Sequence, residues 1–111
     1  MRILASSMEN PSYDIFVATA RRKIAGLVDL WTFPDFGEGA NMSMIQNLVV
    51  ASKFRRRGIA DALVKRVVKL AKKRGAKEIH VSTSMRNKKA IALYRRNGFT
   101  KLHAFLEKSP G

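Results

Sequence analysis

No cysteine occurs in the 111 residues. This excludes disulfides, a thiol nucleophile and thiolate-bound zinc or iron–sulfur clusters. Histidine is nearly as scarce: with only His80 and His103, ligands for an ordinary structural metal site are too few, and no metal is expected. Long apolar runs are also missing. No stretch of eighteen apolar residues is present, and the N-terminus MRILASSMENPSYD lacks the apolar segment of an export signal, so the chain reads as cytoplasmic, with no membrane span. Acidic side chains number eight against 22 lysines and arginines, a net charge of +14. The shortage is uneven. Residues 1–52 carry four basic and five acidic groups, whereas residues 53–111 carry eighteen and three, so the second half has a net charge of +15. Such a field speeds the approach of any polyanion without selecting among them.

What is present is organised around the stretch from Asn47 to Ala71, NLVVASKFRRRGIADALVKRVVKLA. Leu48, Val49 and Val50 read as a buried strand, Arg55, Arg56, Arg57 and Gly58 as a turn, and the remainder as a helix. At 100° per residue, Ile59, Leu63, Val67 and Leu70 fall on one stripe flanked by Ala60 and Ala71. Lys65, Arg66, Lys69, Lys72 and Lys73 fall opposite, as an ordinary solvated face. Asp61 suits the positive end of the helix dipole, and Gly75 follows as a stop. A strand running through a Gly-containing turn into a helix collects free N–H groups at one point, and the arginines add full charges. The ligand this favours is a phosphate or pyrophosphate.

The rest of the chain supplies a mixed sheet. Residues 1–12 are expected to be a loose arm or a short edge segment, with a turn at Glu9-Asn10-Pro11-Ser12. Tyr13–Ala20 and Ile24–Phe33 read as a hairpin joined at Arg21-Arg22-Lys23 and ended by Pro34. The polar, Gly-rich segment DFGEGANMS is a loop, and Met44–Val50 is the third strand. Glu78–Ser84 reads as a strand joined to the third by a right-handed parallel crossover. Asn87 is the N-cap of a second helix, Lys88–Asn97, stopped by Gly98, and Phe99–Glu107 is a last strand. The expected fold is a single α/β domain over residues 1–111, order β-β-β-α-β-α-β, with a parallel strand pair that splays apart. Backbone groups left unpaired at that splay can receive a linear ligand.

Two linked motifs carry a family resemblance over about residues 13–108. Arg55, Gly58 and Ala60 match a pattern of Gln or Arg, two residues, Gly, one residue, then Gly or Ala. At the usual distance comes Asn87-Lys88-Lys89-Ala90-Ile91-Ala92-Leu93-Tyr94-Arg95-Arg96-Asn97-Gly98-Phe99. Together they resemble the GNAT superfamily of acetyl-CoA-dependent N-acetyltransferases. The resemblance implies that Arg55 opens the cofactor motif and that the N–H groups of Arg56, Arg57, Gly58, Ile59, Ala60 and Asp61 hold the CoA pyrophosphate. It also implies that Leu48, Val49 and Val50 pair with the pantetheine arm, that Asn87 meets the arm from the other side, and that Tyr94 protonates the departing thiolate. A phenol of pKa about 10 can donate to a thiolate whose acid is near 8.5, at some uphill cost that positioning must offset.

Departures from the pattern are informative too. Gln46 and Ser82 stand where relatives often carry the carboxylate base, which leaves His80, Glu38 or a water chain as candidates. The strand and helices that usually precede the hairpin are not evident, so a homodimer is expected to cover the exposed wall. A polycationic acceptor is disfavoured by the charge, unless Asp29, Asp35 and Glu38 form a local acidic pocket. The reading is therefore an N-acetyltransferase acting on acetyl-CoA and a primary amine. The alternative is a non-catalytic module on a degenerate acetyltransferase scaffold that binds nucleic acid or an acidic protein. A nucleotide-phosphate hydrolase is excluded, because no Gly-rich turn ends in Gly-Lys-Ser or Gly-Lys-Thr.

Overall fold

The computed structural model describes residues 1–7, 13–37 and 39–111. Six strands, β1 (Arg2–Ser7), β2 (Tyr13–Ala20), β3 (Lys23–Asp35), β4 (Ala40–Ile45), β5 (Leu48–Val50) and β6 (Ala76–Val81), form one sheet. Helix α1 (Ile59–Lys73) lies between β5 and β6 in the chain, and α2 (Lys88–Arg96) follows β6. In space the strands run β1-β2-β3-β4-β6, with β5 also on β3. All pairs are antiparallel except β4 with β6. The mixed α/β class is as expected, and the order differs at both ends. Among the described residues, no helix is long and apolar enough to cross a membrane.

Alternation decides which side chains enter the core. Phe16 and Ala18 of β2, Val28 and Leu30 of β3 and Ile45 of β4 meet Ile59, Leu63, Val67 and Ala71 of α1, all buried. These helical positions recur at three- and four-residue spacing, as the stripe requires. Fully burying a side chain such as Leu30 or Leu63 contributes roughly 1.5–3 kcal/mol. At the far end of α1, Arg74 reaches the buried Asp14 of β2 at 3.0 Å.

Several expectations are corrected. Of the two expectations for residues 1–12, the edge segment holds over the first part and the loose arm does not, since β1 pairs with β2 at the sheet edge from Arg2↔Thr19 to Ser7↔Asp14. The turn expected at residues 9–12 lies outside the described residues. In the hairpin, Arg21 and Arg22 both take positive φ, 52° and 63°, the twist that a two-residue connection between right-twisted strands demands. Pro34 does not end β3. Among the described residues the ladder with β2 reaches only Trp31 while that with β4 continues to Asp35, so a missing N–H on the β2 side removes none of the described ladder bonds.

The last strand, expected over Phe99–Glu107, does not form: residues 99–111 have no regular structure. Phe99 is tied to α2, its N–H bonded to the Tyr94 carbonyl and its ring edge-on to Tyr94 at 5.6 Å. Beyond it the His103 ring stacks at 6.2 Å on His80 of β6, but no backbone ladder follows. A β-rich composition supplies propensity, not a pairing partner.

Candidate functional site

The site starts from a mismatch of one residue. On β3, Trp31 pairs with Met44 and Val28 pairs with Leu48. Asp29 and Leu30 on one strand therefore face Ile45, Gln46 and Asn47 on the other, which is a β-bulge. The extra residue inverts the alternation. Ser43 and Ile45 point into the core before it, and Leu48 and Val50 pack against the core after it, which leaves Val49 56% exposed. The single strand expected over Met44–Val50 is thus two, and β5 is only half-buried.

The bulge also separates the parallel pair. β4 stays beside β6 as far as Ile45↔Val81, and then β5 leans onto β3 alone. Ser82–Ser84, expected as strand, join no ladder among the described residues; Ser82 and Thr83 line the gap instead, and Ser84 accepts from the Arg86 and Asn87 N–H groups. Along β5 the Ala51 N–H bonds to the Ala25 carbonyl and the Asp29 N–H to the Asn47 carbonyl. By alternation, Val49 directs its polar groups to β3, while those of Leu48 and Val50 face the gap. A cleft of about 360 Å³ results, walled by Leu48, Val49 and Val50 on one side and by Asn87, Leu93 and Tyr94 of the α2 region on the other.

A smaller hollow of about 140 Å³ adjoins it at the start of α1, lined by Arg55, Arg56, Gly58, Ile59, Ala60, Asp61 and Arg96. Arg56 and Gly58 are both left-handed, at φ 65° and 75°, a geometry that turns successive N–H groups toward one point. The helix ladder begins with Ala62 N–H on the Gly58 carbonyl. The N–H groups of Ile59, Ala60 and Asp61 therefore precede it and have no helical acceptor. Asp61 would oppose an anion, but Arg96 grips it bidentately at 2.8 and 2.9 Å and Asn97 adds a third bond. Those bonds, Arg96 first, outweigh partial desolvation and lower the Asp61 pKa from 3.8 to about 2, while raising that of Arg96. Three cations thus line the hollow beside one neutralised carboxylate.

The structure brings ten of the eleven expected cofactor-binding residues to these two cavities. The exception is Arg57, whose guanidinium lies over the Phe54 ring at 5.6 Å rather than in the hollow. Arg55 donates to the Val50 carbonyl at 3.3 Å, occupying one acceptor of the β5 edge. Asn87 caps α2 by accepting from the Ala90 N–H while lining the cleft. Tyr94 is 7% exposed, and burial raises its pKa, so the phenol stays protonated at neutral pH.

Of the candidate bases, His80 is not brought here. His80 lies 3.6 Å from Glu78 and outside the cleft, because β6 carries it beside Met44. Glu38 is outside the described residues. None of the described residues lining the cleft has a carboxylate or imidazole. Nor is Asp29 part of an acidic acceptor pocket: it is 2% exposed and its oxygens accept four hydrogen bonds. Arg96 and Leu93 stand in the second motif, but the sequence assigns neither to the site, where the structure places both. Leu93 and Val64 mark the contact between the helices, which a period calculated for each helix alone does not show.

The profile of the Acetyltransferase (GNAT) family matches residues 2–99, and the chain belongs to this family. It is 34% identical over 86 residues to N-acetyltransferase 8 from Homo sapiens, covering 78% of this chain and 38% of that protein. The chain spans less than half the length of the curated relatives it matches. Among solved structures, an aminoglycoside acetyltransferase from an uncultured soil metagenomic sample superposes with a TM-score of 0.81 at 30% identity, covering 93% of this chain and 68% of the other. A transcriptional regulator from Bacillus halodurans C-125 shares the fold, with a TM-score of 0.85 at 24% identity over 91% of this chain and 68% of that one.

Proposed function

We propose that this chain transfers the acetyl group of acetyl-CoA to a primary amine by direct attack. One observation carries the reading: the β5 edge that pairs with no other strand faces Tyr94 across a cleft that opens beside a cationic hollow of free N–H groups. The donor set fits the cofactor. Free N–H groups and Arg55, Arg56 and Arg96 suit a pyrophosphate, and the Leu48 and Val50 backbone suits an extended amide arm.

In the reaction the amine nitrogen bonds to the acetyl carbon and the carbon–sulfur bond breaks. A β5 N–H directed into the cleft meets the charge that develops on the acetyl oxygen. Tyr94 gives its proton to the leaving thiolate, and the amine proton passes to water, since none of the described residues lining the cleft offers a carboxylate or imidazole to take it. The net charge of +14 favours acceptors that are not polycations. Homodimerisation is part of the proposal, supported by the half-buried Ile15, Val17, Leu27, Trp31 and Phe33 on the sheet face away from α1. A monomer mass in light scattering at micromolar concentration counts against it.

The test is calorimetric titration with acetyl-CoA and CoA at low and moderate salt, followed by an acceptor screen read by thiol release. One-site binding that survives moderate salt supports the reading. Binding lost with salt, alongside steeply salt-dependent RNA binding, favours the basic binding module instead, for which the +15 half-chain is the supporting observation.

A further inference from the structure

Asp29 is the most enclosed carboxylate among the described residues, at 2% exposure, and it touches neither the cleft nor the hollow. One oxygen accepts from the Gln46 N–H at 2.9 Å and the Asn47 N–H at 2.8 Å. The other accepts from the Asn47 side-chain amide at 2.6 Å and the Tyr13 hydroxyl at 2.8 Å. Its own N–H donates to the Asn47 carbonyl. Gln46 and Asn47 are the residues at which the second strand carries one position too many. A bulge leaves ladder N–H groups without partners, and here a single side chain satisfies both. Gln46 is held from a further direction, because the Trp31 indole N–H donates to its Oε1 at 2.9 Å and the Trp31 ring packs on Tyr13 at 4.3 Å.

The consequence of removing that support follows from alternation. Without the bulge Val49 would turn inward, Leu48 and Val50 would turn outward, and the strand would continue beside β6 instead of leaving it at Val81. The cleft exists because that register is excluded.

We infer that Asp29 is a positioning residue whose carboxylate fixes the bulge at Gln46-Asn47, and thereby holds β5 away from β6 with its backbone directed into the acetyl-CoA cleft. For its functional half this rests on the acetyl-CoA reading. Tyr13 and Trp31 complete the support from the sheet face opposite α1, and neither bears on the thioester.

The experiment compares Asp29→Asn, the exchange Asp29→Asn with Asn47→Asp, and Val67→Ala, by amide hydrogen exchange and by acetyl-CoA titration. Asp29→Asn keeps an oxygen for the two backbone N–H groups but sets an amide against the donors Asn47 and Tyr13. The exchange variant returns an acceptor to that contact from the other side. Val67→Ala loosens the core under α1 without removing any hydrogen bond of Asp29 and reports what lowered stability alone does. Expected are a tenfold or larger loss of protection at the Gln46 and Asn47 amides in Asp29→Asn and a tenfold or larger rise in Kd for acetyl-CoA. Recovery to within about threefold is expected in the exchange variant, and an unchanged Kd in Val67→Ala. Retained protection in Asp29→Asn overturns the inference, as does a loss that the exchange variant fails to recover or that Val67→Ala reproduces. A wild-type protein that does not bind acetyl-CoA overturns the proposed function, and with it the functional half. An unchanged Kd in Asp29→Asn beside a wild type that binds overturns the inference alone.

Discussion

The two helices are held in opposite ways. α1 buries Ile59, Leu63, Val64, Val67 and Ala71 and has no side-chain N-cap, only the left-handed Gly58. α2 buries just Leu93 and Tyr94 and is fixed at its ends, by Asn87 on the Ala90 N–H and by Asp61 on Arg96 and Asn97. Under the proposed reading, packing anchors the helix whose first turn must stay open to an anion, because a capping side chain there would occupy the N–H groups the ligand needs. Polar contacts anchor the helix that supplies Tyr94. Stability is concentrated in α1, whereas both buried residues of α2, Leu93 and Tyr94, line the cleft, and under the proposed reaction the chemistry falls to α2.

The largest effect should come from Leu63→Ala, which leaves a cavity under α1 and is expected to cost about 2–5 kcal/mol. Chemical denaturation measures it, and a loss below about 1 kcal/mol breaks the contrast on the α1 side. Next is Tyr94→Phe, which keeps the ring packed on Phe99 but removes the acid. Thiol release should fall by about a hundredfold or more, while acetyl-CoA affinity and melting temperature stay close to wild type. Unchanged turnover takes Tyr94 out of the chemistry and makes α2 a packing element like α1.

Asn87→Ala removes a cap that α1 does without, for about 1 kcal/mol. Amide exchange should show that loss concentrated in the first turn of α2 rather than spread through the core. Smallest is the acid dependence of the Asp61–Arg96 pair. Because the folded pKa of Asp61 is lowered from 3.8 to about 2, its contribution is complete above pH about 4 and disappears as pH falls through about 2. The pair is partly solvated, so the difference from Asp61→Asn should stay below about 1 kcal/mol. A difference that persists below pH 2 assigns the effect to packing instead.

What was legible in the sequence is what local pattern dictates. The α1 stripe, the Gly58 and Gly75 boundaries, the Asn87 cap and the Arg55, Gly58 and Ala60 spacing all depend on neighbours within a few residues, and all stand where they were expected. The residues misread depend on distant partners. Val49 looks buried because the run LVV is apolar, but the bulge that exposes it is specified by Asp29, seventeen and eighteen residues upstream of Gln46's and Asn47's places in the contact. Leu102, Phe105 and Leu106 look like strand residues, yet they are exposed because no ladder receives them. Arg57 resembles its neighbours in charge and differs only in having Phe54 within reach.

Mechanically, β5 is a cantilever: three residues, about 10 Å of chain, fastened along one edge to β3 and along the other free of any strand, with only Arg55 on the Val50 carbonyl. Gly26 seats it, since a Cβ there would lie 2.8 Å from the Val49 carbonyl oxygen, so any larger side chain would lift the beam off its mounting. A guest bonded to the free edge turns the cantilever into a beam supported on both sides. Its first signature should therefore be stiffness rather than displacement, with slower exchange of the Leu48 and Val50 amides and an otherwise unaltered sheet.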